Sequence, residues 1–175
     1  MGKDAKKAYK TVRLGSRKIL LQPKFMQMAI DAALKGIKKG GGPCGACIVD
    51  FDGNVVSCAA NSVVSTPSPT RHAEVNAIDL ACKKLKTHIL GRHIIYTSTE
   101  PCLMCRGAIY WAKLPIVVYG TSQHDARKAG FDELNISDAQ FLKLGKRKTV
   151  IVRDFMRKDA RRIFAEFKKI SGKMY

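Results

Sequence analysis

The amino-acid sequence predicts an α/β domain: a three-layer α/β/α sandwich in which a mixed central sheet carries helices on both faces. Three observations lead there. The chain of 175 residues is 46% hydrophobic, enough for one continuous core, yet it holds no apolar run near the roughly eighteen residues of a membrane span. After residue 22, stretches with a helical apolar repeat alternate with short apolar and β-branched runs, the pattern of a sheet covered by helices. Glycine and proline punctuate the junctions.

Each element follows in order. Residues 1–22 are basic and show no clear period, so they read as a flexible N-terminal extension. From Pro23, the positions Phe25, Met28, Ala29, Ala32, Gly36 and Ile37 follow a helical repeat that Gly40 to Pro43 stops. Gly45 to Asp50 and Asn54 to Ala60 read as strands joined by an Asp52-Gly53 turn. A loop with Pro67 and Pro69 leads to a helix over about His72 to Leu85, with Thr70 as its expected N-cap. Ile94 to Ser98 is a strand, Leu103 to Lys113 a helix, Ile116 to Gly120 a strand, and the Val150 region another. Ser122 to Leu144 gives short helix signals around the loop at Gly130 to Glu133. Met156 to Ile170 sets Ile163, Phe164 and Phe167 on one stripe between basic residues, as an amphipathic helix does. The division expected is an extension over 1–22, a domain over 23–155, and a basic C-terminal helix and tail over 156–175.

Charge is unevenly placed. The formal net charge is +18. Residues 1–24 hold eight Lys and Arg against Asp4, and residues 143–175 hold twelve against Asp154, Asp159 and Glu166. The stretch between is nearly balanced. Such ends suit nucleic acid or another polyanion, and they equally suit solvated helix faces. The six cysteines form no even framework, which points to a reducing compartment. With no apolar leader visible, the expected location is cytoplasmic; the basic N-terminus leaves a mitochondrial address as the alternative. Cys44, Cys47, Cys58 and Cys82 lie in apolar or helical contexts and read as small core residues, so Cys44-Gly45-Ala46-Cys47 is not taken as a metal site.

The chemistry concentrates in Thr70 to Glu74 and Glu100 to Cys105. His72, Cys102 and Cys105 are the imidazole and thiolate donors zinc accepts, and three protein ligands leave a fourth position open, as in catalytic sites. Pro101 suits the first turn of the following helix, which puts both sulfurs at a helix N-terminus where the dipole favours thiolate. Glu74, two residues beyond His72, is placed beside the open position as a proton carrier. A Cys-x-x-Cys pair alone also serves as a redox pair or half a structural zinc site, and His-x-Glu alone is common surface polarity. Their combination, His-x-Glu followed by Pro-Cys-x-x-Cys, matches the zinc-dependent nucleobase deaminase pattern.

Further residues sharpen the resemblance. Gly41-Gly42-Pro43, Arg71 through Ala77, Tyr96 through Glu100, Gly107 through Ala112, Ala129 through Glu133 and the terminal Tyr175 together resemble the bacterial-type guanine deaminase branch of the cytidine deaminase-like superfamily. The likeness is close over about residues 25–135 and looser beyond. It implies one zinc ion per chain, a small-molecule purine substrate, and hydrolytic loss of the 2-amino group of guanine to give xanthine and ammonia, with Glu74 shuttling protons. It implies that Asn61 hydrogen-bonds the base and that Glu133, Asp in the family, assists binding or proton transfer. It implies a homodimer in which the C-terminal segment crosses over and Tyr175 closes the neighbour's pocket. From the residues alone, Asn61 is also a turn residue, Glu133 a solvated loop charge, Tyr175 a frayed end, and Trp111 either a pocket wall or a helix-core residue. One position departs: where the family has an aromatic wall after Gly-Pro, this chain has Cys44, which opens room for guanosine or another aminated heterocycle.

Two other functions compete. A tRNA adenosine deaminase-like editor would use the same zinc site, with the basic termini on phosphates. A non-catalytic, zinc-containing RNA-binding protein would need no free carboxylate, and Glu74 argues against it. No membrane association is expected.

Overall fold

The computed structural model describes residues 9–134 and 136–170. It opens on a hairpin, β1 (Lys10–Leu14) and β2 (Arg17–Leu21), paired antiparallel around a turn where Gly15 takes φ +59°. This corrects the reading of residues 1–22 as an extension without regular structure. Val12, Ile19 and Leu21 turn inward and join the main core, with Leu14 half-buried against it, while Arg13, Lys18 and Leu20 are exposed. Strands this short give only two or three turns of a period-2 pattern, too few to stand out from the surrounding charge. Residues 1–8 lie outside the described part.

The helix α1 (Pro23–Ile37) starts where the sequence predicts, with Pro23 in its first turn, where a missing N–H costs nothing, and it ends at Ile37, before the Gly40 stop. The strands β3 (Gly45–Asp50), β4 (Val55–Ala60), β5 (His93–Thr99), β6 (Ile116–Thr121) and β7 (Val150–Val152) form one sheet in the order β4-β3-β5-β6-β7. β3 is antiparallel to both neighbours, while β5, β6 and β7 run parallel. The sheet is therefore mixed, as expected.

Side-chain alternation along the central strands sorts the core into two layers. Ile94, Tyr96, Ile116 and Val118 pack with Met26 and Ile30 of α1 and with Ile163 and Phe167 of α6 (Arg157–Ile170). Ile95 and Val117 face the other way, onto Ala77 and Ile78 of α2 (Ala73–Leu85) and Ile109 of α3 (Leu103–Trp111). Helices thus cover both faces, and α6 belongs to the same core as α1 rather than to an appended tail. Gly45 is what lets α1 lie on the start of β3: a Cβ there would stand 2.0 Å from the Ala29 carbonyl oxygen. Two short helices, α4 (Gln123–Ala129) and α5 (Asp138–Leu144), fill the stretch before β7, each opened by a serine capping box. No described helix is long and apolar enough to cross a membrane.

Candidate metal centre and cavity

The site lies where β5 ends and the helices α2 and α3 begin, at the carboxyl ends of the parallel strands, where open α/β sheets place ligands. The N-cap of α2 is His72 rather than Thr70, and the N-cap of α3 is Cys102, which puts Pro101 one position before the N-cap rather than in the first turn. Neither side chain caps its own helix. They turn to each other instead, Cys102 Sγ and His72 Nδ1 lying 3.6 Å apart. Cys105, one turn into α3, is buried beneath them, and the three donor atoms lie within 4.8 Å of one another. Zinc bonds of about 2.3 Å to sulfur and about 2.0–2.1 Å to nitrogen require this kind of spacing. The donor set and geometry fit that ion.

Protons already compete within the cluster. The Cys105 contact, working against burial and aided by His72, holds Cys102 at about 4, and the bond to Cys102 raises His72. Cys105 is pushed up by the same contact and by burial. A cation displaces these shared protons, so its affinity rises with pH.

Glu74 sits in the first turn of α2 and is buried beside the donors. Its Oε2 lies 3.5 Å from Cys105 Sγ. The Thr97 hydroxyl shares its single proton between Glu74 Oε1 at 3.1 Å and the Thr99 carbonyl at 3.0 Å. Burial, followed by the neighbouring Cys102 charge, raises the Glu74 pKa. The Thr97 hydroxyl holds the carboxylate in place, and the His72 charge works against the rise. Thr97 was not singled out from the sequence; the polar run Thr97-Ser98-Thr99 ending a strand that opens on Ile94 and Ile95 was the available signal.

A cavity of about 390 Å³ opens over these groups. Its wall includes Cys44, Asn61, Glu133, Phe131 and Phe164. Asn61 is buried at the end of β4, its Oδ1 accepting from Gly42 N at 3.3 Å and Val63 N at 3.1 Å, so its amide is fixed in the wall. Glu133 is pushed up to about 7 by burial and by the charges of Cys102 and Glu74. The Cys44 thiol is likewise raised by burial and by Glu74.

Trp111 does not line this cavity. It is the last residue of α3 and is 75% exposed, because the helix carries it away from the cysteines at its start; neither the pocket-wall nor the helix-core reading holds within the described residues. Tyr175 lies outside the described residues.

A buried polar cluster supports the cysteine loop from behind. Arg106 donates from Nε to the Pro101 carbonyl at 2.9 Å and pairs with Glu100 and Asp138. Glu100 also accepts from Gln123 N at 3.0 Å, and Gln123 Nε2 reaches the Pro101 carbonyl at 3.1 Å. Asp138 further accepts from Arg153 at 2.9 Å and from the Tyr119 hydroxyl at 3.2 Å. Sequence reading missed this cluster, since Asp138 lies thirty-two residues from Arg106 and no local pattern joins them.

A sandwich of this topology with a histidine and two cysteines at paired helix starts defines a zinc-binding deaminase fold. Residues 21–121 match the model of the cytidine and deoxycytidylate deaminase zinc-binding region, and the chain belongs to that family. It is 47% identical over 110 residues to the guanine deaminase of Bacillus subtilis, covering 62% of this chain and 70% of that one. It is 31% identical over 145 residues to the tRNA-specific adenosine deaminase of Buchnera aphidicola, covering 83% and 92%. The solved guanine deaminase of Nitrosomonas europaea shares the fold, with a TM-score of 0.78 at 24% identity over 95% of this chain and 91% of that one.

Proposed function

We propose that the protein hydrolyses guanine to xanthine and ammonia. The observation that carries this is the Glu74 carboxylate, buried against the His72, Cys102 and Cys105 donors at the floor of a cavity walled by Asn61 and Glu133. Likeness to the Bacillus guanine deaminase supports the choice of base.

A zinc ion held by His72, Cys102 and Cys105 would lower the pKa of a bound water from about 15.7 to about 7. The residues then divide the work. Glu74 accepts a proton from the attacking water, gives it to the ring nitrogen beside the amino-bearing carbon, and later protonates the departing amine. Thr97 keeps the carboxylate aimed. The Asn61 amide, its Oδ1 engaged by Gly42 and Val63, orients the purine edge by donating from Nδ2. Glu133, with a pKa near neutrality, binds a ring N–H or relays a proton. Guanine and water enter; xanthine and ammonia leave.

The test is ammonia release by zinc-loaded protein from guanine, guanosine, cytosine, adenosine and an adenosine-containing tRNA anticodon stem-loop. Turnover of guanine carries the proposal, and reaction of the stem-loop alone overturns it. A second reading, RNA adenosine deamination, is favoured by α6: Arg161 and Arg162 are 61% and 74% exposed on the helix whose Phe164 lines the cavity. It requires binding that weakens steeply with salt. The active form proposed is a homodimer, supported by the exposed Trp111 and Met104 on α3, with Tyr175 closing the neighbouring cavity. Sedimentation of the full chain against a chain shortened by residues 171–175 tests both parts.

A further inference from the structure

Away from the cavity, Cys47 in β3 and Cys58 in β4 are Cα partners directly across the antiparallel pair. Their sulfurs are hydrogen-bonded at 2.8 Å, and both are free thiols. Directly opposed residues in such a pair have Cα atoms about 4.5–5.5 Å apart, inside the span of about 4.4–6.8 Å that a disulfide bridges. Bond formation therefore needs no shift of register. Cys47 is sealed in the core, whereas Cys58 is half-buried and opens into a surface groove between α1 and β4. Lys35 and Lys39 border that groove against Asp31, which leaves its rim with one positive charge in excess.

We propose that Cys47 and Cys58 form a redox modification site, a dithiol that an anionic low-molecular-weight disulfide of the glutathione type converts to a cross-strand disulfide. Cys58 is the attacking group, because it alone of the two reaches the groove. Its thiol is held below the usual range by the contact with Cys47, while that contact and burial raise Cys47. The Cys58 thiolate attacks one sulfur of the small disulfide, whose S–S bond breaks; one thiolate leaves and takes up the proton Cys58 lost. Cys47 then attacks Cys58 Sγ, the protein S–S bond forms, and the second small thiol departs with the Cys47 proton. Two cysteine thiols are oxidised and one small disulfide is reduced.

The site is independent of the proposed reaction, but it touches the same strands. Cys47 lies three residues after Cys44 and Cys58 three residues before Asn61, both in the cavity wall. Oxidation fixes the spacing between the strands that present them.

The experiment incubates zinc-loaded full-length protein with glutathione disulfide and reads intact mass and peptide maps. A loss of about 2 Da, traced to a peptide pair joining Cys47 to Cys58 and reversed by dithiothreitol, is expected. Cys82→Ser retains that loss and Cys58→Ser abolishes it. Cys47→Ala, which keeps the exposed thiol, stalls as a glutathione adduct on Cys58. Unchanged mass at excess disulfide, a wild-type reaction that stops at the adduct, or a bond to another cysteine each overturns the proposal.

Discussion

Arg106 and Asp138 form an ion pair whose side chains are 5% and 3% exposed, and it joins the cysteine loop to the helix that follows Glu133. Arg106 is the residue after Cys105, and Asp138 opens α5. One buried contact thus sets two parts of the site: the turn that aims the sulfurs and the far end of the loop bearing Glu133.

Removing Arg106 should leave two buried carboxylates short of positive charge: Glu100 loses its guanidinium partner, and Asp138 keeps Arg153, whose side chain is largely exposed. Arg106→Leu is expected to lower stability by roughly 3–5 kcal/mol and to loosen metal retention against a chelator. Urea unfolding of Arg106→Leu, Asp138→Leu and the double variant checks this. The double variant should cost less than the sum of the singles; strict additivity would show that the two charges do not act as a pair.

Glu74→Gln keeps the side-chain volume and removes the proton acceptor. Turnover should fall by about 10²–10⁴-fold, with zinc content by elemental analysis unchanged. Activity near wild type would remove Glu74 from the proton path.

Metal removal should act on both stability and turnover. Zinc at about one hundred times its dissociation constant adds roughly 2.7 kcal/mol to a protein that binds it only when folded. The thermal midpoint of stripped protein should rise on adding zinc, and this rise should vanish in His72→Ala and Cys102→Ser. A rise that persists in both variants would place the ion elsewhere.

Asp125 gives a pH dependence with a definite sign. Burial opposes its ionisation, yet Arg157 at 2.9 Å and the Ser122 groups hold it at about 2, below its ordinary 3.8. A depressed folded-state pKa means the stabilisation is complete above about pH 4 and is lost as pH falls toward 2. Asp125→Asn should flatten stability over that interval in acid-titration circular dichroism. An unchanged slope would assign it to other carboxylates.

Cys44 tests substrate size. Cys44→Phe fills part of the wall beside Glu74 and Thr99, so the ratio of guanosine to guanine kcat/KM should fall. A ratio that rises or holds would separate Cys44 from the choice between base and nucleoside.

By itself, the sequence determined the sheet-and-helix order after Pro23 and the donor set of His72, Cys102 and Cys105. These are local signals: proline and glycine at the junctions, a helical apolar repeat, and donors spaced along single segments. The start of α1 and the bounds of β3 agree to the residue, because Pro23, Gly45 and the Asp50 turn mark them in the chain. The hairpin over residues 10–21 stayed hidden, since three inward apolar side chains among lysines and arginines become a pattern only when a core receives them. His72 displaced Thr70 as N-cap for a related reason: its side chain is aimed by Cys102, thirty residues away.

Only the tertiary structure decided what surrounds the donors. Packing placed Asn61 and Glu133, which the sequence named only through the family resemblance, in the cavity wall and sent Trp111 out to the surface. Pairing of β3 with β4 brought Cys47 against Cys58, and burial joined Arg106 to Asp138. Ligand spacing within a turn is written into the chain because backbone geometry fixes it. Contacts across the fold depend on where the whole core settles, and no short stretch of sequence carries that information.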